Sequence, residues 1–236
     1  MIGTVLKTLC ISLNGDSAIE VTLLNSLVNI AKATLEGERD WMALRKTDTS
    51  LSISASTTNQ WNTSLSLSDI TDFLRFYGDY PIRIFDGNNK IEYYRQVPFS
   101  KRLEYKDIPN TFVHDIANKK IYLNGTVVMS GTLYINYIIN TSDIDVDGTT
   151  DIETNGTFPF PSRFHPLLAF YAVGISKGAV DYDSINREML PSNQVALFAL
   201  KNAMLVYDTK MQLAEVAMTD TDETSGRRFG SVDMST

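Results

Sequence analysis

The sequence predicts an α+β fold: a helical bundle built from N- and C-terminal helices, with a central antiparallel β insertion. Three observations predict it. Apolar residues recur at helical spacing near both ends of the chain, they alternate with Ser, Thr and Asn between residues 47 and 140, and the turn-forming run Asp86-Gly87-Asn88-Asn89 separates two β-rich segments in that middle region. The expected boundaries are 1–46 for the N-terminal helices, 47–140 for the β lobe, 141–160 for an acidic linker, 161–218 for the C-terminal helical pair and 219–236 for an extended tail. With 236 residues, 43% of them hydrophobic, the chain can bury a sizeable core, and we read it as one domain.

In chain order, Val5, Leu6, Leu9 and Leu13 share one helical face, and Asn14-Gly15 stops that helix. Ser17 and Glu20 form an S-x-x-E capping box ahead of Leu23, Leu24, Leu27, Val28, Ala31 and Leu35. Gly37 kinks or ends this second helix, and Trp41 anchors it against the C-terminal pair. Leu51, Ile53 and Ala55, then Leu65 and Leu67, alternate with polar residues as half-buried strands. Residues 73–76 read as a short helical turn. Residues 82–85 and 91–94 form a hairpin around the Asp86 turn, and a second hairpin is expected from 120–123 through Asn124-Gly125 to 132–138.

Beyond the polar linker, Pro166 suits the first turn of a helix, where its missing N–H is not needed. Leu168, Tyr171, Ala172, Ile175 and Ala179 form the apolar face of that helix. Gly174 and Gly178, one turn apart, predict a close approach by another helix. Pro191-Ser192 restarts the helical pattern. There Leu197, Leu200, Met204, Tyr207, Met211, Ala214 and Met218 recur three and four apart, and Val195, Phe198, Leu205, Leu213 and Val216 widen the stripe. A stripe this wide suits a helix held between neighbours, in the same subunit or an adjacent one.

Composition narrows the function. A net charge of -7 argues against an ordinary DNA- or RNA-binding surface, which needs clustered cations to displace counterions. The single cysteine, Cys10, excludes an internal disulfide framework, fits a reducing compartment and reads as a small apolar residue. No run approaches the roughly 20 apolar residues of a membrane span, and residues 1–13 do not read as a signal peptide, so a soluble protein is expected.

Two motifs invite chemistry and fail on context. Gly174-Ile175-Ser176-Lys177-Gly178 matches the G-x-S-x-G nucleophile elbow, but the residues before it are helical and both His114 and His165 precede it, whereas the elbow needs a strand before the serine and a histidine after it. Asp143, Asp145, Asp147 and Asp151 match the first half of a calcium loop, which would be the one hint of a metal-dependent enzyme. The bidentate glutamate position, however, holds Thr154, and we favour a solvated linker. His114 and His165 read as surface or capping residues. No phosphate-cradling loop, Cys/His cluster or paired carboxylates on rigid elements occur, so neither enzyme activity nor a cofactor is expected. In the tail, Arg227, Arg228 and Phe229 are the residue types that dominate binding hot spots, and they are the candidate partner-binding residues.

The order of motifs is Asp40, Trp41 and Leu44 after two helices, then a β insertion closing on Leu133-Tyr134-Ile135-Asn136-Tyr137, then Pro161-Ser162-Arg163-Phe164-His165-Pro166-Leu167-Leu168 opening a helical pair. This order resembles the head-to-tail adaptor, or connector, proteins of tailed bacteriophages. The resemblance implies a non-catalytic virion protein of the neck, assembled in the bacterial cytoplasm. It also implies a ring of identical subunits, typically twelve, docked beneath the portal protein, meeting tail or neck proteins and continuing the channel for genomic DNA. It further implies that the C-terminal segment reaches the portal. The alternative from the residues is a β-rich carbohydrate- or receptor-binding virion protein with Trp61, Tyr93, Tyr94 and Tyr105 as stacking residues.

Overall fold

A computed structural model describes residues 1–15, 19–56, 61, 63–88 and 90–226, with side chains as far as residue 214. The chain divides into two compact units rather than one domain: Met1–Ala43 together with the chain from Asp143 onward, and Leu44–Ser142. Among the described residues, no helix is long and apolar enough to cross a membrane.

The first unit is helical. Helix α1 (Gly3–Asn14) stops at Gly15, which takes the left-handed conformation at φ 75° and donates its N–H to the Ile11 carbonyl. Helix α2 (Val21–Gly37) starts at Val21 without a side-chain cap, so the capping box expected at Ser17 does not open it; Ser17 itself lies outside the described residues. After α2 the chain turns, and Trp41 is fully buried, donating its Nε1–H to the Leu35 carbonyl at 2.7 Å. Its ring meets Phe160 edge-on at 5.6 Å.

Helix α3 (Pro166–Ser176) packs on α1 and α2 and is buried on every side from Leu167 to Gly174, so the single apolar face read from the sequence is only part of it. The expected helical pair is in fact three helices. A short α4 (Tyr182–Glu188) forms in the polar stretch because Asp181 and Ser184 build a reciprocal capping box, and α5 (Pro191–Gly226) follows. At 36 residues α5 is about 54 Å long. It continues through 219–226, the start of the expected extended tail.

The stretch 141–160 is not a solvated linker. Ile144, Val146 and Ile152 are buried, and Asn25 and Asn29, one turn apart on α2, hydrogen-bond its backbone: each side-chain carbonyl accepts an N–H, from Val146 and from Ile144, at 2.8 Å. The Asp-Ile-Asp-Val-Asp alternation is that of an extended segment with one face packed and the other in water.

The second unit is a curled sheet of nine strands. They are β1 (Arg45–Asp48), β2 (Ser52–Ile53), β3 (Thr63–Ser66), β4 (Phe73–Phe76), β5 (Ile82–Phe85), β6 (Ile91–Gln96), β7 (Thr111–Asp115), β8 (Lys120–Asn124) and β9 (Gly131–Ile139). The path runs β1-β9-β5-β6-β7-β8-β3, with β2 and β4 also paired to β9. The expected β5–β6 hairpin forms, with Ile82 opposite Tyr94 and Phe85 opposite Ile91. The second expected hairpin does not form: β8 pairs with β7 and β3, while β9 runs along β5. Residues 73–76 are strand β4, not a helical turn.

The expected architecture is therefore overturned. The chain is a mixed α/β protein whose curled sheet carries the dominant core, not a helical bundle with a β insertion. Two physical reasons account for the difference. Ile82, Ile84, Tyr94, Phe112, Ile121, Leu123, Leu133, Ile135 and Tyr137 converge on one side of the curl and enclose each other, so the strands need no helical partner to bury that face. The apolar stripe of α5, by contrast, is covered on one side only: Leu197 and Met204 are buried, while Val195, Phe198 and Leu213 are exposed.

Candidate functional site: the long C-terminal helix

Helix α5 has two opposed sides. Leu197, Lys201, Met204 and Asp208, at spacings of four, three and four, form the side that packs into the helical unit, and all four are buried. On the other side Val195, Phe198, Val206 and Leu213 are each more than half exposed.

The buried side is fixed by charge as well as by packing. Lys201 pairs with the Glu38 carboxylate just past α2 and donates a hydrogen bond to the Tyr171 hydroxyl at 3.0 Å; that hydroxyl donates to Glu38 Oε1 at 2.7 Å. The ammonium also lies 5.4–5.7 Å from the ring centroids of Trp41, Tyr171 and Tyr182. Burial pushes Lys201 down to about 8.

Two turns on, Asp208 accepts the Met42 backbone N–H at 2.6 Å, the Gln212 side-chain amide at 2.9 Å and the Arg39 guanidinium at 3.0 Å. Arg163 lies over the rings of Phe164 and Tyr207, clamping the same stretch of helix. A cleft of about 500 Å³ opens beside Lys201, lined by Arg39, Val180, Tyr182, Phe198 and Leu205 among others. These contacts order α5 as far as Gln212. They were missed in the sequence, although two charged residues seven apart inside an apolar stripe were a visible sign of a buried, paired face.

The other candidate residues are accounted for as follows. Arg227, Arg228 and Phe229 lie outside the described residues. Three aspartates of the calcium-loop pattern have partners within the helical unit: Asp147 accepts from Lys7 Nζ at 2.6 Å, Asp151 accepts from the Met1 ammonium at 2.6 Å, and Asp145 accepts the Asp147 N–H. The ammonium and neighbouring N–H donors hold Asp151 down at about 2. Among the described residues, no group of three or more His, Cys, Asp or Glu side chains is placed to hold a metal ion.

Ser176 ends α3 and donates its hydroxyl to the Val173 carbonyl at 2.7 Å. A Cβ on Gly174 would lie 2.8 Å from Ile185 of α4, so this glycine does mark a close helix contact; Gly178 instead takes φ 91° with open space around it. His165 is not a surface residue: it is fully buried, with Nε2 2.6 Å from the Phe160 carbonyl, and burial lowers its pKa. His114 is half-buried against the rings of Phe73 and Phe76. Cys10 is buried, its thiol pushed up to about 12.

The four aromatics of the alternative reading do not form one platform. Tyr94 faces the core and donates to Glu92, while Tyr93 faces outward, edge-on to Tyr80. Trp61 is tied through its Nε1–H to the Arg102 carbonyl.

No protein-family model matches the chain, and no curated protein matches it. The adaptor resemblance rests on the order of the chain's own motifs.

Proposed function

We propose that this chain is a structural virion protein, the subunit of a head-to-tail adaptor ring beneath a phage portal, which joins head to tail and continues the DNA channel. One observation carries the reading: α5 is locked at its base by buried ion pairs, yet presents Val195, Phe198, Val206 and Leu213 to solvent along one side. A row of large apolar side chains on a rigid helix is a surface made to be covered. A neighbouring copy in a ring covers it without any catalytic chemistry.

The acidic balance supports the same reading, since a wall that repels phosphate lets DNA slide past. The chain acts without a cofactor, in the virion neck, with the portal above and tail or neck proteins below. Arg227, Arg228 and Phe229 make the portal contact.

The test is the mass of the chain co-expressed with its portal, measured by native mass spectrometry. We expect a ring of adaptor subunits on the portal, and deletion of residues 225–236 abolishes its stable attachment while leaving the melting temperature of the free chain almost unchanged. A chain that never joins the portal, or a truncated chain that joins it with full affinity, defeats the proposal or its portal contact respectively.

A further inference from the structure

The outward side of three adjacent strands in the sheet unit has an unusual composition. Arg83 and Phe85 alternate along β5 with the core residues Ile82 and Ile84. Register places Arg83 directly between Tyr93 of β6 and Tyr134 of β9, and Phe85 between Ile91 and Thr132. Directly opposed residues project to the same side, so these side chains form two neighbouring rows. Arg95 follows on the same alternation of β6 and is exposed.

The Arg83 guanidinium lies 5.7 Å from the Tyr134 ring centroid, and Phe85 meets that ring edge-on at 6.3 Å. Arg83, Phe85, Ile91 and Tyr134 line a cleft of about 180 Å³. Arg83 Nε is buried there with no hydrogen-bond partner, and Arg83 makes no ion pair among the described residues. A guanidinium carries five donors and a positive charge, so an anion is the partner that suits this cleft best. Arginine and tyrosine are also the residues that carry most binding energy at protein interfaces.

The occupant must therefore be acidic and apolar at once. Residues 211–226, the far half of α5, hold Glu215, Asp220, Asp222 and Glu223 and no lysine or arginine, and their Met211 and Leu213 are exposed. We propose that the Arg83 cleft of one copy receives the distal half of α5 from a second copy. A carboxylate closes on the guanidinium, and apolar side chains cover Phe85, Ile91 and the flanking tyrosines. Donor and acceptor surfaces differ, so the contact is head-to-tail, the type that closes into a ring when the rotation allows. The inference rests on the ring reading and supplies one of its contacts. Stacked nucleic acid is the competing occupant for an aromatic sheet face, but it calls for a track of cations along the phosphates, and two arginines do not make one.

Sedimentation velocity on full-length chains tests the contact. One variant carries Arg83→Gln; the other carries Glu215→Gln, Asp220→Asn, Asp222→Asn and Glu223→Gln. The native chain is expected to associate, and each variant alone to associate at least tenfold more weakly. An equimolar mixture should form dimers, because each variant keeps the surface that the other lacks. The acid-neutralised variant leaves the sheet unit untouched, so its result stands even if Arg83→Gln disturbs folding.

Native association unchanged by both variants overturns the docking and leaves the ring reading intact. A native chain that stays monomeric also overturns the docking, and the ring is then judged by the portal complex alone. Association that nuclease treatment abolishes overturns the proposal in favour of nucleic acid.

Discussion

Replacing Lys201 by methionine tests the claim that charge fixes the base of α5. Methionine keeps most of the apolar stem against Trp41, Tyr171 and Tyr182 but removes the ammonium, leaving the Glu38 carboxylate and the Tyr171 hydroxyl to each other. Stranding one partner of a fully buried pair costs about 3–5 kcal/mol. The Glu38 side chain keeps 25% of its surface in water and recovers part of its hydration, which brings the expected loss to about 1–3 kcal/mol. Scanning calorimetry should read this as a melting-temperature drop on the order of 3–10 °C.

Adding Glu38→Gln removes the stranded charge, and the double variant should recover to within about 1 kcal/mol of the native chain. A Lys201→Met chain as stable as the native one, or a double variant no better than the single, refutes the reasoning.

Gly174→Leu forces a side chain into Ile185, where even a Cβ would sit at 2.8 Å, and should cost about 1–3 kcal/mol by denaturant titration. His165 is buried with its pKa lowered from 6.5, so the stability of its neutral form is complete above 6.5 and falls away as pH drops below it; His165→Gln should flatten the melting-temperature difference between pH 7.5 and 5.5. Phe198→Asp, on the open side of α5, should change folding stability by less than about 0.5 kcal/mol while weakening ring formation on the portal, read by native mass spectrometry. An intact ring with Phe198→Asp would show that this side faces only water.

Local signals proved the most legible part of the sequence. Asn14-Gly15 ends α1 because a left-handed glycine closes a helix whatever surrounds it, and the Asp86 turn sets the register of β5 on β6 because so short a connection leaves few alternatives. The partners of β8 and β9 were not legible in this way. Both strands alternate well, but β3 and β5 are distant in sequence from the strands they pair with, β7 just ahead of β8 was not read as a strand, and alternation says which face is buried without saying against what. The same gap explains the misread acidic stretch: Asp143 to Asp147 looks solvated by composition, and only Asn25 and Asn29 of α2, far away in the chain, show that its backbone is held.

The misjudged α5 stripe is the most useful of these errors. Periodicity counts apolar residues on a face and cannot tell a face covered by its own chain from one left for another subunit, and the width of the stripe leaves both open. Lys201 and Asp208 separate the two cases. They sit on the face that Glu38, Tyr171, Arg39 and the Met42 backbone cover, whereas Val195, Phe198, Val206 and Leu213 occupy a side that carries no such pairing. Charged residues placed inside an apolar stripe thus identify the side fixed within the unit, since a buried charge is tolerated only where a partner is already in place. The exposed side has no such requirement, which leaves it free to be covered by another subunit.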